Sequence, residues 1–200
     1  MDTKKIHVAG FLLIAMTVVA ARVLAPSPPE ESVYLASGFG FLSLLSLIFV
    51  LAIPIFVKYA GSPLTAYLLA NRRWLGIYVF IFALLHVLVV YNFFFGWDVS
   101  KMINNTNAPF IALGSMAFLI LASMTATSNN ASVRILGRNW KRLHMLIYVA
   151  LAMILVHSYS VGLVFMSNRA LSAVVIALAA TVVAIKAAMK LAAWQSKQPL

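Results

Sequence analysis

The sequence predicts an all-α, polytopic transmembrane helix bundle of about six spans, and three observations carry that reading. Hydrophobic residues make up 64% of the 200 and charged residues only 10%, where a soluble domain holds about 45–50% and about 25%. The mean hydropathy is +0.99. Six apolar stretches stand out, near residues 7–24, 38–60, 74–95, 108–127, 140–160 and 169–193. Most reach the ~20 residues a helical span requires. Residues 1–200 are therefore read as a single transmembrane domain.

Taken in order, the first stretch has two readings. Lys4 and Lys5, an apolar run and Val23-Leu24-Ala25 resemble a signal peptide. Arg22, so near the end of the run, favours a retained helix instead. The second stretch contains Pro54, which predicts a kink. The third carries His86 at depth and ends in Phe93, Phe94, Phe95 and Trp97, read as an interfacial aromatic belt. The fourth is uninterrupted. The fifth carries His144 and His157. The small residues of the sixth, from Ala177 to Ala188, predict close helix packing. Breakers and polar residues separate the runs: Pro26, Pro28 and Pro29, then Gly61 and Pro63, Asn104 to Asn107, and Asn129 with Asn130.

Charge gives an orientation. With the N-terminus cytoplasmic, the inner segments hold Lys4, Lys5, Lys58, Arg72, Arg73, Arg134, Arg138, Lys141, Arg142, Lys186, Lys190 and Lys197. The outer segments hold only Arg22, Lys101 and Arg169, and the acids Glu30, Glu31 and Asp98 fall outside too. Twelve basic residues against three is a strong positive-inside bias and predicts both termini cytoplasmic. The net charge of +11 thus reflects topology in a lipid bilayer, with no nucleic-acid partner. The absence of cysteine excludes disulfides, thiolate metal sites, thiol catalysis and covalently attached haem. No Asp or Glu falls within the six stretches, which speaks against a proton- or sodium-coupled carrier.

What the stretches do contain is histidine. An ionisable residue at membrane depth is a functional candidate, and imidazole is a haem ligand. His86 lies 13 residues past Arg73, or ~20 Å along a helix, and His157 lies 15 past Arg142, or ~22 Å. The two can face each other across one haem in the outer half of the membrane. His144, two residues past Arg142 or ~3 Å, stays near the inner face, where the third stretch offers Arg72 and Arg73 and no histidine. The 13 residues from His144 to His157 leave the two side chains about 140° apart on an ideal helix, so a kink is required for them to act together. His7 reads as an interfacial residue. Arg72 and Arg73 are boundary anchors or ligands for an anionic group, a haem propionate or a flavin phosphate. Arg138, Lys141 and Arg142 read as a docking patch for a soluble partner. No residue is assigned a catalytic role. The rival reading is a small non-redox permease or assembly factor whose histidines only pack.

The runs Asn71-Arg72-Arg73-Trp74-Leu75-Gly76, Leu85-His86 and Tyr91, with Leu136-Gly137-Arg138-Asn139-Trp140-Lys141-Arg142-Leu143-His144, Tyr148 and His157, resemble the ferric reductase-like transmembrane domain superfamily. Within it they look most like the haem-binding membrane subunits of bacterial periplasmic methionine sulfoxide reductase systems. The resemblance covers about residues 71–160. It implies b-type haem, one or two, with iron on His86, His144 and His157, and a bound flavin mononucleotide (FMN). It implies an electron-transfer (oxidoreductase) subunit of the bacterial inner membrane. The electron donor would be a cytoplasmic flavin reductase or quinol, and the acceptor a periplasmic reductase or a ferric chelate. No glycine-rich dinucleotide fingerprint appears, so no soluble dehydrogenase domain is expected and the donor is expected to be a separate molecule.

Overall fold

The computed structural model describes residues 3–196; Lys197, counted above among the inner charges, lies outside them. The described residues form helices and no strands: α1 (Lys4–Leu24), α2 (Glu31–Ala60), α3 (Pro63–Ala70), α4 (Arg72–Val90), α5 (Val99–Ile103), α6 (Ala108–Ala126), α7 (Asn130–Leu136), α8 (Arg138–Met145), α9 (Ile147–Val161) and α10 (Arg169–Gln195). Among the described residues, six helical segments are long and apolar enough to cross a membrane. Large apolar side chains such as Phe11, Met16, Leu119 and Val174 face outward, as a surface solvated by lipid requires.

Two helix pairs make the bundle. The central helix α2 packs along α4, and α6 packs along α9; both contacts are far more extensive than those between the pairs. The outer helices α1 and α10 close on α2. The core joins Leu44, Leu47 and Leu51 of α2 to Val79, Leu121 and Leu151 on α4, α6 and α9. Val175, Ala179 and Val182, one face of α10, complete it. With no apolar driving force between helices in lipid, polar contacts and close approach matter more. Ser43 Oγ donates to the Val79 carbonyl at 3.0 Å, joining α2 to α4. Gly10 of α1 lies directly against the Tyr78 ring, where a Cβ would collide with it.

Several boundaries differ from the sequence expectation. Helix α2 starts at Glu31, not near 38, because the 3₁₀ turn Pro28–Glu30 leads directly into it. An acid therefore does occupy a spanning helix, in its first turn, where a carboxylate suits the helix dipole. The fifth span is two helices, broken at Leu146 between His144 and His157. The third span ends in a π-helical turn, Tyr91–Phe95, followed by left-handed Gly96 and Trp97 at φ +58° and +61°. This turn brings one residue of the aromatic run, Phe95, inward. Phe95 is buried, while Phe93 stays exposed as an interfacial residue would. Asp98 then caps α5, accepting from the Ser100 N–H at 2.9 Å and the hydroxyl at 2.7 Å. Those two bonds hold its carboxyl below the usual carboxylate range.

Pro54 has a partner the sequence does not show. Lacking an N–H, it leaves the Val50 carbonyl without its helical donor. Arg72 Nε supplies one at 3.2 Å. His7 likewise is more than interfacial: its Nδ1 lies 3.1 Å from Tyr78 Oη and its ring meets Trp74 edge-on, which ties α1 to the start of α4.

Candidate functional site

A cleft of about 610 Å³ opens between the two helix pairs, within the size range of cofactor sites. His86 of α4 and His157 of α9 both line it, as do Phe41, Phe118 and Met166. Phe94, Phe95 and Trp97 form part of its wall, so the aromatic run belongs partly to the site and not only to a belt. The ring centres of the two histidines lie 6.3 Å apart with their planes at 81°.

Each ring is aimed by the same device. His86 Nδ1 bonds the Ala36 carbonyl of α2 at 2.7 Å, and His157 Nδ1 bonds the Phe110 carbonyl of α6 at 2.9 Å. Four residues after each carbonyl comes a glycine. A Cβ on Gly40 would stand 2.9 Å from His86 Nδ1, and one on Gly114 would stand 2.7 Å from His157 Nδ1. Glycine at these two positions lets an imidazole reach a helix carbonyl from the side. With Nδ1 committed as donor, Nε2 keeps its lone pair, the arrangement by which backbone carbonyls orient metal-ligating histidines. Sequence reasoning located both histidines but not Ala36, Gly40, Phe110 or Gly114. The only signal was small residues on neighbouring spans.

The donor set fits haem iron. An imidazole nitrogen ligates a metal at about 2.0–2.1 Å, and C–N bonds near 1.33 Å put the ring centre about 1.1 Å behind it, so two rings on opposite sides of one ion would stand about 6.2–6.4 Å apart. The observed 6.3 Å falls in that interval. Among the described residues no group of three or more His, Cys, Asp or Glu could hold a bare metal ion.

His144 does not join this pair. It sits on α8 with its ring stacked on Trp140 at 3.9 Å between centres and its Nδ1 3.1 Å from the Trp140 carbonyl. It lies within electrostatic reach of Arg72. Arg72 itself is 14 residues before His86, ~21 Å along α4, so it meets a different part of any ligand set. Arg73 points to the α7 side, donating to Asn130 Oδ1 at 3.0 Å. Arg138, Lys141 and Arg142 are exposed on α8.

Residues 37–155, more than half of the chain, match the family model described as the ferric reductase like transmembrane component. The chain is 40% identical over 91 residues to the protein-methionine-sulfoxide reductase heme-binding subunit MsrQ of Brucella ovis, and equally to that of Brucella canis. The match takes in 45% of this chain and 41% of each relative, so the chain spans less than half the length of these curated relatives. No solved structure matches it. A bundle with this helix order, matched by the family model over its central helices, belongs to the ferric reductase like transmembrane component family.

Proposed function

We propose that this protein is a b-type haem membrane protein that passes electrons from a cytoplasmic donor to an extracytoplasmic acceptor. The histidine pair carries the reading: two imidazoles on facing helices, each oriented through Nδ1, at the spacing one shared iron requires. The relatives named heme-binding subunits support it. When bound, haem supplies a one-electron couple whose potential the axial ligands and surroundings set.

The chain's own residues hold and shield that group. Ala36 and Phe110 fix the ligand rings, and Phe41, Phe118 and Met166 exclude water from the cleft. Residues 1–200 act as one haem-binding domain in the bacterial inner membrane with both ends cytoplasmic. The exposed cations Arg138, Lys141 and Arg142 gather on the donor side, where a flavin reductase docks or quinol delivers electrons. The acceptor, a periplasmic reductase or a ferric chelate, meets the opposite end, near Trp97.

A pyridine haemochrome assay set against protein concentration tests the cofactor. One haem b per chain is expected, and a colourless protein from haem-replete cells would overturn the proposal. Orientation is tested by fusing alkaline phosphatase, which is active only in the periplasm, after Asn130. An inactive fusion is expected, because the loop lies among the basic residues; strong activity would reverse the assigned faces.

A further inference from the structure

Among the described residues, Trp97 is the one residue other than glycine whose φ, +61°, lies in the left-handed region. A bulky side chain is strained there. Such a conformation persists only where neighbouring contacts impose it, and such places cluster at functional sites. Here the contacts are present. Gly96 before it is left-handed too, at φ +58°. The Trp97 N–H donates to the Tyr91 carbonyl at 3.0 Å, and the Asp98 N–H to the Phe95 carbonyl at 3.1 Å. The indole Nε1 donates to Asn92 Oδ1 at 3.4 Å. The indole meets the Tyr91 ring at 5.7 Å between centres and 40° between planes. Tyr91 is held in turn, its Oη donating to Met102 Sδ at 3.1 Å.

A residue of an interfacial belt needs none of this. Phe93, in the same π-helical turn, is exposed and stands outside the cleft. Trp97 is as exposed as Phe93, 60% against 61%, yet it also lines the cleft, together with Tyr91. One indole therefore borders both the cavity of the histidine pair and the medium beyond it. Tyr91 follows His86 by five residues, ~7.5 Å along the helix. His86, Tyr91 and Trp97 thus make a short series from a ligand ring to the surface. Electronic coupling falls off more slowly through packed and bonded atoms than across a water-filled gap, and conjugated rings offer it extended orbitals.

We propose that Tyr91 and Trp97 are the way out for the electron: the ring pair couples the cleft to the surface, and a ferric chelate is reduced in contact with the Trp97 indole. The step is a single transfer. One electron leaves ferrous iron held in the cleft, which becomes ferric, and the chelated ferric ion becomes ferrous. No bond is made or broken and no proton moves. Neither ring is oxidised or reduced; each is the medium through which the electron passes. The strained backbone is what holds the indole at the mouth. This inference rests on the proposed function, because it takes the electron from a haem on His86 and His157.

Two measurements on the purified, haem-loaded chain test it. Tryptophan emission reads where the indole sits. A Trp97 beside haem is quenched, so the wild type and Trp97→Phe should emit equally; a dimmer Trp97→Phe places the indole away from the cofactor and overturns the proposal. Stopped-flow mixing of the dithionite-reduced protein with ferric–EDTA reads the exit rate from the haem absorbance. Trp97→Gly suits the left-handed backbone and removes the ring, so it should slow reoxidation severalfold with haem content and reduced spectrum unchanged. Tyr91→Leu should do the same. Trp97→Phe and Tyr91→Phe, which keep a ring, should recover most of the rate, and Phe93→Ala should match the wild type. Wild-type rates in both Trp97→Gly and Tyr91→Leu overturn the proposal. So does a loss that the two phenylalanine variants fail to recover, since packing and not the rings would then be its cause. A wild type that binds no haem overturns the proposed function and this inference with it, whereas unchanged rates in haem-loaded variants overturn this inference alone.

Discussion

His86→Ala and His157→Ala are each expected to lose nearly all bound haem, or to leave a five-coordinate spectrum, and to look alike. The reason is geometric. The two rings come from helices of different pairs and converge at 6.3 Å, so removing either leaves one imidazole where the site needs two. They act as a unit, and the double variant should be little worse than either single one. His144→Ala should keep the wild-type spectrum, since its ring is stacked on Trp140 away from the cleft. A loss equal to that of His157→Ala would instead place His144 in the ligand set. The 81° between ring planes adds a second signature. Perpendicular axial imidazoles leave the two π-type d orbitals of low-spin iron nearly equal in energy, which gives a strongly anisotropic EPR signal. A rhombic signal typical of parallel rings would contradict the orientation. Retention of full haem in all three single variants would remove the haem proposal altogether.

Gly114→Ala is expected to do nearly as much damage without touching a ligand. Its Cβ would stand 2.7 Å from His157 Nδ1 and 2.8 Å from Cε1, inside van der Waals contact with a ring already hydrogen-bonded to Phe110. Either the ring swings off the Phe110 carbonyl or α6 and α9 move apart. Overpacking of this kind costs roughly 1–3 kcal/mol, which corresponds to a loss of about 5- to 150-fold in haem affinity. Gly40→Ala should act in the same direction through His86, with its contact at 2.9 Å. A haem titration of the apoprotein measures both. Gly76→Ala, where a Cβ would meet nothing within 4 Å, is the matched control. Wild-type affinity in Gly114→Ala would show that the aiming device has no hold on the site.

The six spans were legible because lipid leaves so few alternatives: runs of about 20 apolar residues must be helical where no water can satisfy the backbone. The pairing of His86 with His157 could also be read, because rise per residue converts spacing into depth. Angular position could not. The ideal-helix estimate for the fifth span left its two histidines pointing apart, and they stay apart, on two helices separated by a break at Leu146 that no proline or glycine announces. The inward turn at Tyr91–Phe95 was hidden likewise, since aromatic side chains suit a membrane interface and a cofactor wall equally well. Arg72 read as a boundary anchor or a ligand for an anionic group; its bond to Val50 was not legible, because it depends on which helix lies beside α4, and a single sequence carries no sign of that.

Each of the two histidines is anchored inside its own helix pair, and neither pair contains both. On the proposed reading a bound haem therefore works as a rivet driven through the seam of the bundle. Loading the cofactor and closing the seam become one equilibrium: free cofactor at a hundredfold its dissociation constant would strengthen the closed form by about 2.7 kcal/mol. Without haem, the two pairs would be joined only by the shared apolar core around Leu47, Leu121 and Leu151. The amount of this protein surviving in the membrane would follow the haem supply itself, before any electron has moved.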